Sequence, residues 1–243
     1  MKNETILTPQ SCTNECIKLI ERLGHIHGRF EVFAHLIELL AISLSNQVDF
    51  IHFEKREARY FEIIEQYSKE ELQIFPEMIA SIATAVTLSD DSPRDILGPM
   101  FHEMELHNEW RGQYFTPQNV CDMMGVITAG TDLRASDKEY ITICEPCVGS
   151  GAMIFGFAKA LQKQGYSHTT GMVVSATDID IRCVHMAYIQ FSLYGIPAVV
   201  VHGNSLTLEE WSYWYTPAYI AGGWHRKLME TQEKTGGIEV CTT

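Results

Sequence analysis

The chain has 243 residues, enough to bury a substantial core in one large domain or two small ones. Hydrophobic residues make up 46% and charged residues 20%, an ordinary soluble balance, but 31 acidic against 18 basic residues leave a formal charge of -13. A phosphate backbone is repelled by such a chain as a whole, so a nucleic-acid substrate would call for clustered bases or for a partner that supplies much of the grip.

The opening MKNETILTPQSC carries no apolar run like that of a signal peptide. The longest apolar region, 32–44, is broken by His35 and Glu38 and does not read as a membrane span. Seven cysteines at irregular spacing fit a reducing, cytoplasmic setting. Cys16, Leu19, Ile20 and Leu23 recur at helical spacing and predict a first helix with its exit at Gly24 to Gly28. Phe33, Leu36, Ile37, Leu40 and Leu44 stripe a second, and a third runs over about 53–67. Ser68 with Glu71 has the form of a capping box opening a fourth, which Pro76 should kink or restart. SDDSPRD at 89–95 reads as a loop by composition.

Beyond Trp110 the pattern changes. Three β-rich runs, 140–144, 172–176 and 198–201, alternate with helical periodicity over 152–164 and 181–194. That alternation predicts βαβ units and a parallel sheet of about three strands, each covered on both faces. The expected layout is a helical domain over 1–110 followed by an α/β domain over 111–243.

Between the first strand and its helix stands Glu145-Pro146-Cys147-Val148-Gly149-Ser150-Gly151-Ala152. Glycines at a strand-to-helix junction allow a tight turn and close approach of a ligand, and the helix start offers unpaired N–H groups. A dinucleotide fingerprint would continue to a third glycine, but Ile154 occupies that place, so NAD is disfavoured. The acid-Pro-x-x-Gly-Ser-Gly order resembles the S-adenosylmethionine loop of amino-methyltransferases acting on DNA. More specifically, the chain resembles the modification subunits of type I restriction systems, which are DNA adenine-N6 methyltransferases. The resemblance implies a partial Rossmann-like methyltransferase core in which this loop cradles the methionine part of S-adenosylmethionine. Read without it, the loop is a plain structural turn.

Three further elements carry the likeness. Gly112-Gln113-Tyr114-Phe115-Thr116-Pro117 resembles the family's element that packs on the methionine end; by itself it is a Thr-capped helix start with Pro117 as first helical residue. Asp178, ending the second strand with Ile179 after it, implies an acceptor for ribose hydroxyls. Asp180 is the competing acid and is assigned to capping the next helix. His202-Gly203-Asn204-Ser205-Leu206 resembles the family's third element, in which the residue at Asn204 reads the cofactor's adenine.

One element is missing. The family holds its target amine with Asn/Asp-Pro-Pro-Tyr/Phe after a fourth strand, and stacks the flipped base on the aromatic ring. The nearest string here is Thr216-Pro217-Ala218-Tyr219, with no apolar strand before it and too few residues up to Thr243 for the rest of a seven-stranded sheet. Thr216, Pro217 and Tyr219 are therefore weak catalytic candidates. Either the chain binds the cofactor without transferring a methyl, or a specificity or second modification subunit completes the site on DNA. The aromatic segment 211–224 would then dock that partner or, the preferred reading, fold back over the sheet edge. Cys144, Cys147, Cys183 and His185 lack convergent spacing, so no metal is expected. Lys55, Arg56 and Arg59, interspersed with glutamates, read as a salt-bridged helix surface.

Overall fold

The structure is a computed structural model and describes residues 7–89, 91–105, 116–130 and 139–235. Helix α1, Pro9–His27, opens where Thr8 and Ser11 each take the other's backbone N–H, with Pro9 in the first turn. It runs through Gly24 and stops at Gly28, whose φ of 84° leaves the helical region. Helix α2, Arg29–Ser45, follows at once, and α3 spans Phe53–Ile64. The expected capping box is present: Ser68 and Glu71 open the short α4, Lys69–Leu72. Pro76 then lies in the first turn of α5, Ile74–Thr87, where its missing N–H costs nothing. Helix α6, Leu97–Glu105, precedes the α/β part and was not foreseen from the sequence.

The α/β part runs α7 Gln118–Ala129, β1 Ile141–Glu145, α8 Ala152–Lys163, β2 Met172–Asp178, α9 Ile181–Leu193, β3 Ala198–Asn204, β4 Glu209–Tyr215, α10 Pro217–Ala221 and α11 Trp224–Thr235. The sheet order is β1-β2-β3-β4. The first three strands pair in parallel, as expected, while β4 pairs antiparallel with β3. This fourth strand corrects the expectation of about three; it precedes Thr216 directly, although it is not the apolar strand that was sought there. In EEWSYWY the first three residues are exposed and Tyr213, Trp214 and Tyr215 pack, and these aromatics do cover the open side of β3.

One sheet face, with Met172, Val174, Ala176, Ala198, Val200 and Trp214, belongs to the main core. That core continues without a break through Phe155 of α8 and Phe191 of α9 into Phe33, Leu36 and Ile37 of α2. On the other face Val173, Val199 and Val201 are covered by Tyr219 of α10 and Trp224 of α11. Helices α7 and α8 cross so closely that a Cβ on Gly125 would lie 2.3 Å from the Gly156 carbonyl oxygen. No helix among the described residues is long and apolar enough to cross a membrane.

Arg56 joins the helical layer to the sheet. It is buried, donates through Nη1 to Asp49 at 2.7 Å and through Nη2 to the Tyr213 carbonyl of β4 at 2.6 Å, and lies 4.0 Å from the centre of the Trp214 ring. A buried guanidinium is tolerated only with such partners. Arg59 pairs with Glu38 and Glu62, as the surface reading expects, whereas Arg56 faces inward instead.

His185 packs edge-on against the same Trp214, ring centroids 4.7 Å apart, and burial pushes its pKa down to about 4. A histidine held neutral in the fold but titrating near 6.5 when unfolded contributes stability that is complete above that value and lost as pH falls toward 4. The urea midpoint should therefore drop between pH 6.5 and 4 by roughly 3 kcal/mol of stability beyond the loss seen in His185→Gln. Equal slopes for both proteins would contradict this account.

Candidate functional site

Parallel pairing brings the carboxyl ends of β1, β2 and β3 to one edge, with Glu145 beside Ala176 and Asp178 beside His202. The loop 145–151 crosses that edge. Val148 donates its N–H to Thr177 O at 2.9 Å, and Gly149 donates to Asp178 Oδ2 at 2.8 Å. The glycine loop and the acid of the second strand are thus in direct contact.

Gly149 and Gly151 have φ of 54° and 101°, values that side chains rarely adopt. A Cβ on Gly151 would also meet the Phe191 ring at 2.8 Å. Gly151 is the N-cap of α8 and has no side chain to cover the first-turn N–H groups, which remain as donors at the positive end of the helix.

Asp178 Oδ1 accepts the Asp180 N–H at 2.9 Å, and the Ile179 N–H also bonds the carboxylate, which with the Gly149 bond leaves roughly one of its lone-pair positions for a ligand. Asp180 caps α9 through the Arg182 N–H at 3.0 Å, the capping role expected of it. Burial pushes both the Asp178 and Glu145 carboxyls above the ordinary carboxylate range, and the nearby Asp178 charge adds to the shift of Glu145. Two carboxylates so placed are acceptors that draw hydroxyl donors or a positive centre.

Asn204 uses its Oδ1 to hold the turn after β3, accepting from Leu206 N at 3.0 Å and Thr207 N at 3.3 Å. Its NH2 has no partner among the described residues. The Ser205 hydroxyl donates to Pro146 O and ties this turn to the glycine loop across the end of β2. Exposed Ile179 and Leu206 give the edge apolar surface, and Trp211 meets His202 edge-on, ring centroids 4.7 Å apart.

Several expectations need correction. The Ser150 side chain does not face the edge: it is fully buried and its hydroxyl donates to Asp95 Oδ2 at 2.5 Å. Pro117 is the extended N-cap of α7, with ψ of 141°, so the helix begins one residue later than expected, at Gln118. Thr116 precedes it, exposed, while Tyr114 and Phe115 lie outside the described residues. The weak catalytic candidates fail on geometry. Thr216 is fully buried and holds Ala198 N and Ile196 O at 2.9 Å, at the amino end of β3 and thus at the opposite end of the sheet from the glycine loop. Pro217 starts α10, and Tyr219 is packed on the sheet face.

Asp95 and Gln190 were missed by sequence reasoning. Gln190, fully buried on α9, donates to Asp95 Oδ1 at 3.0 Å and to Ser150 O at 2.8 Å. The local sign was present: Asp95 takes the Gly98 N–H at 2.8 Å, three residues ahead, in the manner of a helix cap. No cluster of three potential metal ligands exists among the described residues.

The N-6 DNA methylase family model matches residues 95–225, more than half of the 243-residue chain, and the chain belongs to that family. A solved structure from Listeria monocytogenes, assigned to the class I S-adenosylmethionine-dependent methyltransferases, is similar at 12% identity and a TM-score of 0.45. The match covers 81% of this chain and 55% of that one, so the chain spans about half its length. No curated protein matches the chain.

The residues present fit the cofactor of such enzymes. The glycine cradle has backbone room that a Cβ would fill, and the two half-buried carboxylates beside it suit ribose hydroxyls and a cationic ligand. Gly151→Ala combines an unfavourable φ with a clash on Phe191 and should cost about 1–3 kcal/mol of stability in chemical denaturation. A variant as stable as the parent would refute the geometry given for the loop.

Proposed function

We propose that this chain binds S-adenosylmethionine at the carboxyl ends of β1, β2 and β3 and supplies the cofactor-binding half of a DNA adenine-N6 methyltransferase of the type I modification-subunit kind. The observation that carries the proposal is the Gly149 N–H bond to the Asp178 carboxylate, in a chain of the N-6 DNA methylase family. Bound S-adenosylmethionine would supply a methyl group activated by its sulfonium.

In this reading the loop at Glu145, Pro146, Gly149 and Gly151, with the α8 N–H groups, receives the amino-acid end. Tyr114, Phe115, Thr116 and Pro117 address the same end, as the family resemblance implies. Asp178 accepts the ribose hydroxyls, Ile179 offers an apolar wall, and the Asn204 NH2 addresses the adenine. Ser150 and Ser205 hold the loop in place rather than touching the ligand. Residues 111–243 form the binding unit, with 1–110 as its helical support. Asp95, where the family match begins, then belongs functionally with the binding unit.

Asn/Asp-Pro-Pro-aromatic is absent from the sequence, and Thr216, Pro217 and Tyr219 sit at the far end of the sheet. We therefore assign the groups that hold the target amine to a second modification or specificity subunit. Such a partner would also bring the basic surface for DNA that a chain of charge -13 lacks. The setting is cytoplasmic and belongs to restriction and modification. The burial of Thr216 also supports a second reading, in which the chain binds the cofactor and modulates a complex without any transfer.

Calorimetry with S-adenosylmethionine tests the first step; Asp178→Ala should lose about 1–3 kcal/mol of binding while keeping its fold. Labelled methyl transfer to adenine-containing DNA tests the second. The purified chain alone should bind and not transfer, and activity from it alone would overturn the assignment of chemistry to a partner. Transfer restored by an added subunit would separate the two readings.

A further inference from the structure

We infer that Asp95 is a positioning residue for the amino-acid end of the cofactor, acting on the glycine loop through Ser150. The inference rests on the cofactor reading above. Ser150 is held at two points from beneath: its hydroxyl by Asp95 Oδ2 at 2.5 Å and its carbonyl by Gln190 Nε2 at 2.8 Å. Asp95 and Gln190 are themselves bonded at 3.0 Å, and Gln190 Oε1 takes the N–H groups of Ile96 at 2.6 Å and Leu97 at 3.2 Å. The Asp95 N–H donates to Gln118 Oε1 at 3.1 Å, directly after the Thr116-Pro117 turn. One residue thus links the two segments assigned to the methionine end.

On the α6 side the contact is tight. A Cβ on Gly98 would fall 2.0 Å from Asp95 Oδ2 and 2.5 Å from Ser150 Oγ, so the carboxylate has no room to relax toward α6. Two carboxylates therefore grip successive loop residues from different sides, Asp178 at Gly149 and Asp95 at Ser150. Releasing the second grip leaves the Asp178 contact with the loop in place. Ribose and adenine contacts, which lie with Asp178 and Asn204, should then survive, while the part of the ligand that touches the loop loses its seat.

That difference separates positioning from mere structural support. S-adenosylmethionine and 5′-methylthioadenosine, which shares the adenosine but lacks the amino acid, are titrated into the parent, Asp95→Asn, Ser150→Ala and the double variant. Each single variant should bind S-adenosylmethionine roughly ten- to a hundredfold more weakly and bind methylthioadenosine as the parent does. The double variant should lose no more than Asp95→Asn alone, because both act through one contact. Equal losses for both ligands, additive losses, or unchanged binding by Ser150→Ala would overturn the inference. Ser150→Ala and its ligand discrimination decide the matter if Asp95→Asn does not fold, and the cycle decides if methylthioadenosine binds too weakly. A parent chain that binds S-adenosylmethionine with indifferent variants sinks only this inference; a parent that binds neither ligand sinks the cofactor reading as well.

Discussion

Parallel pairing of three strands is the constraint from which the site follows. Because β1, β2 and β3 run in one direction, the residues that end them arrive at a single edge: Glu145 and its loop, Asp178, and Asn204. Side chains separated by 59 positions in sequence need only local bonds to meet there. The Gly149–Asp178 bond and the Ser205–Pro146 bond are those local ties. Had β2 entered antiparallel, the acid and the glycine loop would lie at opposite ends of the sheet, whatever their chemistry.

The helical layer fixes this sheet from the side through polar contacts as well as apolar ones. Arg56 reaches from α3 to the Tyr213 carbonyl while Asp49 balances its charge, and Gln190 reaches from α9 to the loop and to the start of α6. Buried polar groups of this kind tolerate few alternatives, since displacing one strands another without a partner. They give the site a defined floor where apolar packing alone would leave several arrangements open.

Much of this was legible in the residues. The capping box at Ser68, the parallel strands and the loop between Glu145 and Gly151 are local patterns, and each appears within about three residues of its expected place. Three things escaped for physical reasons. Strand β4 has no apolar run to announce it, and the turn before it sets Leu208 at a φ of 58°, a conformation in which a leucine is uncommon. The partnership of Asp95 with Ser150 spans 55 positions and leaves no periodic trace. The fate of the Ser150 side chain, down into the core rather than up to the edge, depends on those distant partners and on the fully buried Gln190.

The antiparallel turn of β4 also dictates traffic over the molecule. By reversing the chain it carries everything from Thr216 to α11 beneath the sheet, away from the rim where the three parallel strands end. None of these last described helices roofs the rim, which the exposed leucines 206 and 208 border.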